Sequence, residues 1–374
     1  LGGSAARLGE IDGIRGWAAL CVLLFHLTWE LFGEAMPAVR NPYTHIFLDG
    51  PLAVYVFFVL SGDALSSGFV STRDYSSLAK GAVKRYFRLT GPIFFSCAIV
   101  YALMKLGLTY NVAAARIVGR EEWLGSFISF EPDLLHLIRY GLVGVYTDHT
   151  TQTSYNPILW PMSVEMIGSL VVFTFCGALA YLRRPLPVAL GCAVALWILG
   201  SWYALFFFGL SFSLLRPTGF FDRMRANRRI QVLSVVGLVC IGIADGFAVS
   251  GPATIGDTKF VKPPEVSIAM ATALVFLIYC NATLIALMRN AFSRYLGKIS
   301  FPLYLTHFAI VLSLTSYEIT RVENPFSPAS FVLVVTTSIA AAILLADVCA
   351  RLEGKYLAWI DGLLVRHVMM RAPR

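Results

Sequence analysis

Ten stretches of this sequence are almost continuously apolar, and that recurrence constrains the fold more than anything else in it. They run approximately over 16–33, 51–70, 91–108, 158–182, 186–199, 202–215, 230–249, 266–288, 301–318 and 330–349. A helix needs roughly 20 apolar residues to cross a bilayer, and most of these runs reach or approach that length. The fifth and sixth are shorter and read as a tight pair. With 57% hydrophobic and 14% charged residues and a mean hydropathy of +0.70, the chain is far from the charge content of about a quarter usual in soluble domains. The expected fold is all-α and integral to the membrane, with about ten transmembrane helices in one domain covering 1–374. No internal repeat, low-complexity tract or appended soluble domain is evident.

The charges test this count. Basic residues follow the second run (Arg73, Lys80, Lys84, Arg85, Arg88), the fourth (Arg183, Arg184), the sixth (Arg216, Arg223, Arg225, Arg228, Arg229) and the eighth (Arg289, Arg294, Lys298), and recur in the tail. Every second loop is thus basic, which by the positive-inside rule places both termini in the cytoplasm. The formal charge of +8 alternates between loops instead of forming one patch, so a nucleic-acid partner is not expected. Seven cysteines all lie within apolar runs, with no C-x-x-C and no metal-ligand spacing. They read as small buried side chains, and no metal is expected. No cleavable signal peptide is evident, and the first residue is not methionine.

One outer loop is long, about 109–157. It carries an amphipathic stretch (Leu134, Leu135, Leu137, Ile138, Leu142, Val145) suited to the membrane interface, followed by the polar run T-D-H-T-T-Q-T-S-Y-N. Asp63 falls near the middle of the second run, where a carboxylate is unexpected. Asp245, Glu318 and Asp347 fall near run ends, where a solvated carboxylate is the simpler reading.

Ionisable groups at membrane depth are functional candidates by default. The first run, within E-I-D-G-I-R-G-W-A-A-L-C-V-L-L-F-H-L-T-W-E, holds Arg15 at its start and His26 inside. Eleven residues at about 100° each return nearly to the starting angle, so the two share a helix face roughly 16 Å apart along the axis. Glu30, four residues on, joins that face. Histidine can serve as a general base near neutral pH; the plain alternative is a histidine satisfied by a neighbouring helix. Lys84, Arg85 and Arg88 in K-R-Y-F-R-L are suited to phosphate clamping or to ordinary cytoplasmic anchoring. Glu165, inside the fourth run, needs a partner and is either a structural ion pair or part of a site. Ser300, Tyr304 and His307 at i, i+4, i+7 make one polar stripe near the start of the ninth run.

These pieces resemble the acyltransferase-3 family of integral membrane O-acyltransferases. The family's hallmark of arginine, ten residues, then histidine is reproduced by I-D-G-I-R-G-W-A-A-L-C-V-L-L-F-H. In order there follow F-F-V-L-S-G, K-R-Y-F-R-L, L-W-P-M-S-V-E and G-K-I-S-F-P-L-Y-L-T-H-F, with R-L-E-G-K-Y as a weaker final match. The chain departs from the pattern at Asp63, at Pro161 within the fourth motif and at Pro302 in the ninth run. The resemblance implies transfer of an acyl group, acetyl first, from acyl-CoA to a hydroxyl of a glycan, glycolipid or small acceptor. On that basis Lys84, Arg85 and Arg88 are expected to hold the CoA phosphates, with Tyr304 and His307 lining the donor path. Arg15 is expected to orient the donor, His26 to act as base or acyl carrier, and Glu165 to support the histidine. The competing class is a transporter of a glycan or lipid, which also buries ionisable groups.

Overall fold

The computed structural model describes residues 9–250 and 262–368, and these contain helices and connecting turns without a strand. The first expected run is α1 (Gly9–Leu24), which passes directly into a π-helical turn, Phe25–Glu30. After a short α2 (Pro42–His45) come α3 (Gly50–Thr72) and α4 (Tyr75–Lys105). The long loop after α4 carries α5 (Leu134–Arg139). Next are α6 (Pro161–Ala178), α7 (Pro185–Ile198), α8 (Tyr203–Leu215), α9 (Phe220–Ala226) and α10 (Arg228–Ser250). The chain continues through α11 (Pro264–Tyr279), α12 (Ala282–Met288), α13 (Ala291–Ile310), α14 (Ser316–Arg321) and α15 (Pro328–Val368).

The apolar runs fall in helices, against the expectation of about ten spans. Among the described residues, seven helices are long and apolar enough to cross a membrane, and nine if two bent pairs each make one span. The protein is therefore a multi-pass integral membrane protein with seven to nine candidate spans. The bends explain part of the difference: the chain turns by 77° between α8 and α9 and by 96° between α11 and α12. At the second break Asn281 accepts from the Leu284 amide and donates to the Gln231 carbonyl and Ser234 Oγ. Non-helical backbone at membrane depth needs such partners. The fifth run fails on length, because the 14 residues of α7 rise only about 21 Å against a hydrocarbon core of about 30 Å.

The helices form two compact units, one from the described residues up to Ala82 with Val164–Ser300, the other from Val83–Ser163 with the residues from Phe301 onward. In the first unit α3 and α8 meet at glycines. A Cβ on Gly62 would lie 2.1 Å from the Phe206 carbonyl oxygen, and one on Gly209 would lie 1.9 Å from that of Val59. Small residues permit this backbone approach between membrane helices, and it sets Ser61 and Asp63 on either side of the contact. Phe58 stacks on Phe206 at 5.3 Å, and both are fully buried with Leu60 and Leu210.

In the second unit the long loop after α4 is folded. Tyr155 is wholly buried and its hydroxyl donates to the Asp133 carbonyl, while Asn156 donates to the Leu305 carbonyl at 2.7 Å. Leu134, Leu135, Ile138 and Leu142 are exposed and Leu137, Tyr140 and Val145 buried, so the amphipathic stretch packs by one face and presents apolar side chains on the other. The fourth-run proline is no interruption: Pro161 is the first residue of α6, where a missing N–H costs nothing. Pro302, by contrast, lies inside α13. The reading of the cysteines as buried side chains holds for four of the seven: Cys97, Cys176, Cys280 and Cys349 are buried, whereas Cys21 and Cys192 are half-buried and Cys240 exposed, all with free thiols.

Candidate active site

Within the first unit the structure brings Arg15 and Glu165 onto one line through a third residue. Arg15 Nη2 lies 3.4 Å from both the Leu60 carbonyl and Ser61 Oγ, and Ser61 Oγ donates to Glu165 Oε1 at 2.6 Å. Glu165 is buried and Arg15 half-buried. A carboxylate removed from water needs hydrogen bonds and an offsetting charge; Ser61 supplies the first and the nearby guanidinium the second. Ser61 belongs to the motif F-F-V-L-S-G but received no role from sequence reasoning. The signal was a hydroxyl in that otherwise apolar segment.

His26 sits in the π-helical turn, half-buried, with its ring 5.3 Å from that of Phe25. Most of the eleven-residue step from Arg15 runs through regular helix, so the shared face survives. Glu30, the last residue of this turn, is half-buried. Single π-turns of this kind recur at functional sites in helices.

Asp63 also finds its explanation here. Arg216 grips it twice, Nε to Oδ1 at 3.2 Å and Nη2 to Oδ2 at 2.6 Å, and the Tyr279 hydroxyl donates to Oδ2 at 2.7 Å. Arg216 also reaches Glu10 Oε1 at 3.0 Å, and Arg289 holds the other Glu10 oxygen at 2.9 Å. Two carboxylates and two guanidiniums balance in charge, and the Arg216 guanidinium lies 4.5 Å over the Tyr279 ring. The network is a closed structural set, and it uses cations that the sequence presents as loop charges.

The remaining predicted residues belong to the second unit. Lys84 pairs with Asp361, both partly exposed. Arg85 is buried at 9% exposure, and Glu353 feels the charge of Arg88. Tyr304 donates to the Ile158 carbonyl at 2.5 Å, and His307 Nδ1 bonds the Leu303 carbonyl at 2.9 Å, with both side chains buried. In the long loop Tyr140 shares a 2.7 Å hydrogen bond with His149 Nδ1. Burial holds the His149 imidazole below its usual range and pushes the Tyr146 phenol up to about 12.

Residues 8–348 match the model of the acyltransferase domain. The chain belongs to the acyltransferase 3 family. Among curated relatives, the O-acetyltransferase PaAT-1 of Phomopsis amygdali is 26% identical over 361 residues, covering 79% of this chain and 71% of the relative. The acyltransferase MdmB of Streptomyces mycarofaciens is 26% identical over 331 residues, covering 82% and 79%. No solved structure matches the chain. Membership of the acyltransferase 3 family makes the protein a membrane acyltransferase and sets aside the transporter reading, whose support was the burial of ionisable groups alone.

Proposed function

We propose that this acyltransferase moves an acetyl group from acetyl-CoA to a hydroxyl of a glycan, glycolipid or small acceptor. The observation that carries the reading is the line Arg15–Ser61–Glu165 in the unit that also holds His26. It is a polar constellation in an apolar setting. The printed name of one relative, O-acetyltransferase, supports acetyl as the first acyl group to try.

In this mechanism Lys84, Arg85 and Arg88 hold the CoA phosphates. The Lys84–Asp361 pair is partly exposed and weak on that account, so a phosphate can replace the carboxylate. Tyr304 and His307 line the donor path. His26 takes the proton of the acceptor hydroxyl as its oxygen attacks the thioester carbonyl. The carbon–sulfur bond then breaks, and the CoA thiolate leaves with the proton returned from His26. Arg15, held against Leu60 and Ser61, faces the charge that develops on the carbonyl oxygen. Glu165 steadies Arg15 through Ser61 and supports the imidazolium while it lasts.

The test is transfer itself. Purified protein in lipid nanodiscs receives acetyl-CoA labelled in the acetyl group and a panel of glycan, lipid and small hydroxylated acceptors. Label appearing in an acceptor as a base-labile ester is the expected result. Label that stays with CoA across the panel, with no CoA binding, overturns the reading.

A further inference from the structure

Away from the Arg15 line, the first unit buries a second charged cluster. His45 ends α2, Asp49 caps α3 by accepting from the Leu52 amide at 2.7 Å, and Asp245 lies late in α10. Asp245 is only 2% exposed, so the expectation of a solvated carboxylate at a span end is wrong. Lys262 bonds both carboxylates, reaching Asp49 Oδ2 at 3.0 Å. Burial works to lower the Lys262 ammonium, but Asp49 and Asp245 hold it above its usual range.

His45 does not fit a lysine-bridged acid pair. It is 3% exposed, and among the described residues neither ring nitrogen has a hydrogen-bond partner. Nevertheless Nε2 faces Asp49 Oδ2 at 3.4 Å and Asp245 Oδ2 at 3.5 Å. Those separations exceed the range of about 2.7–3.2 Å for an N–H···O bond. They match the spacing between two ligands of one tetrahedral ion. Donors at about 2.0–2.1 Å from Zn2+ lie about 3.3–3.4 Å from each other. One ligand atom from each of the three residues falls within 4.8 Å of the others.

We propose that His45, Asp49 and Asp245 form a binding site for a divalent transition-metal ion of the zinc class, which Lys262 closes when the metal is absent. Imidazole with two carboxylates is a donor set that zinc accepts, with a fourth position left for water. Lys262, on a flexible four-carbon stem, gives way as the ion neutralises both acids. The site ties the loop after α1 to α3 and α10, where Tyr43 and Phe247 already meet at 6.3 Å. It also reaches the π-turn: the His45 ring lies 4.6 Å from that of Trp29, three residues from His26. Metal binding therefore braces the segment that carries the proposed base.

The test uses the full chain in detergent, stripped with EDTA, dialysed against zinc and passed through gel filtration. About one zinc per chain is expected for wild type, with His45→Gln losing it and Lys262→Met retaining it at lower free zinc. The unfolding temperature rises with zinc for wild type and Lys262→Met and stays fixed for His45→Gln. Because His45→Gln can misfold, cobalt loading of wild type gives a second readout, the visible bands of a low-coordinate nitrogen and oxygen site. Absence of stoichiometric zinc from both wild type and Lys262→Met overturns the proposal. A cobalt–thiolate charge-transfer band does so too, since it places the metal on a free cysteine.

Discussion

Two neighbours of one glycine, Ser61 and Asp63, show how differently two polar residues in an apolar helix can behave. Ser61 links Arg15 to Glu165, and a hydrogen bond to a charged group contributes about 1.5–3 kcal/mol. Ser61→Ala, which leaves the buried Glu165 short of a donor, should lower kcat by about ten- to a hundredfold and lower the unfolding temperature as well, with the gel-filtration profile unchanged. Asp63 serves the fold instead. Removing one partner of a buried pair costs about 3–5 kcal/mol, so Asp63→Ala should lower the unfolding temperature sharply; the double variant with Arg216→Met should recover part of the loss. Asp63 was recognisable in the sequence as anomalous, but its partner was not. Arg216 lies 153 residues away and carries the same charge pattern as any cytoplasmic anchor. His149 supplies a pH prediction. Its folded value is depressed by burial, so its contribution is present above the unfolded value of about 6.5 and lost as pH falls below it. Acid should loosen the long loop after α4, read as faster amide exchange over 140–157, and His149→Phe should remove that dependence.

At the scale of the element, the π-turn Phe25–Glu30 is the feature that hydropathy could not reveal. An apolar run looks the same with one residue more per turn, and the turn changes only which residues follow His26 on its face. Thr28 returns a side-chain hydrogen bond to the Leu24 carbonyl at 2.7 Å, which helps the backbone through the irregular stretch. Deleting Leu27 should restore α-helical register, rotate the residues after His26 and abolish acyl transfer while the protein still inserts and elutes as a single species. Retained activity would show that the π-turn has no part in presenting the histidine. The bent pairs illustrate a related limit. In the sequence 266–288 is one apolar run, whereas the chain breaks at Asn281, a single polar residue that satisfies the backbone groups the bend exposes.

For the whole molecule, the all-helical membrane fold and the family were legible because both are written in runs and spaced motifs. The number of spans was not, since α7 is helical and apolar yet too short to cross. Pairings between distant helices were also hidden: Ser61 with Glu165, Asp63 with Arg216, and His45 with Asp245 are each separated by more than a hundred residues. Local spacing carries no information about which helices adjoin. Glu165 stands out in the sequence as a buried carboxylate in need of a partner, whereas the Ser61 hydroxyl that meets it looks like any small residue of an apolar helix. The central claim is that His26 is the base for transfer from acyl-CoA. The most direct measurement is CoA thiol release from acetyl-CoA by the protein in lipid nanodiscs, with wild type beside His26→Ala at matched folding. The account predicts release by wild type, faster with an acceptor present, and none above background from the variant. Release by His26→Ala at the wild-type rate would contradict it.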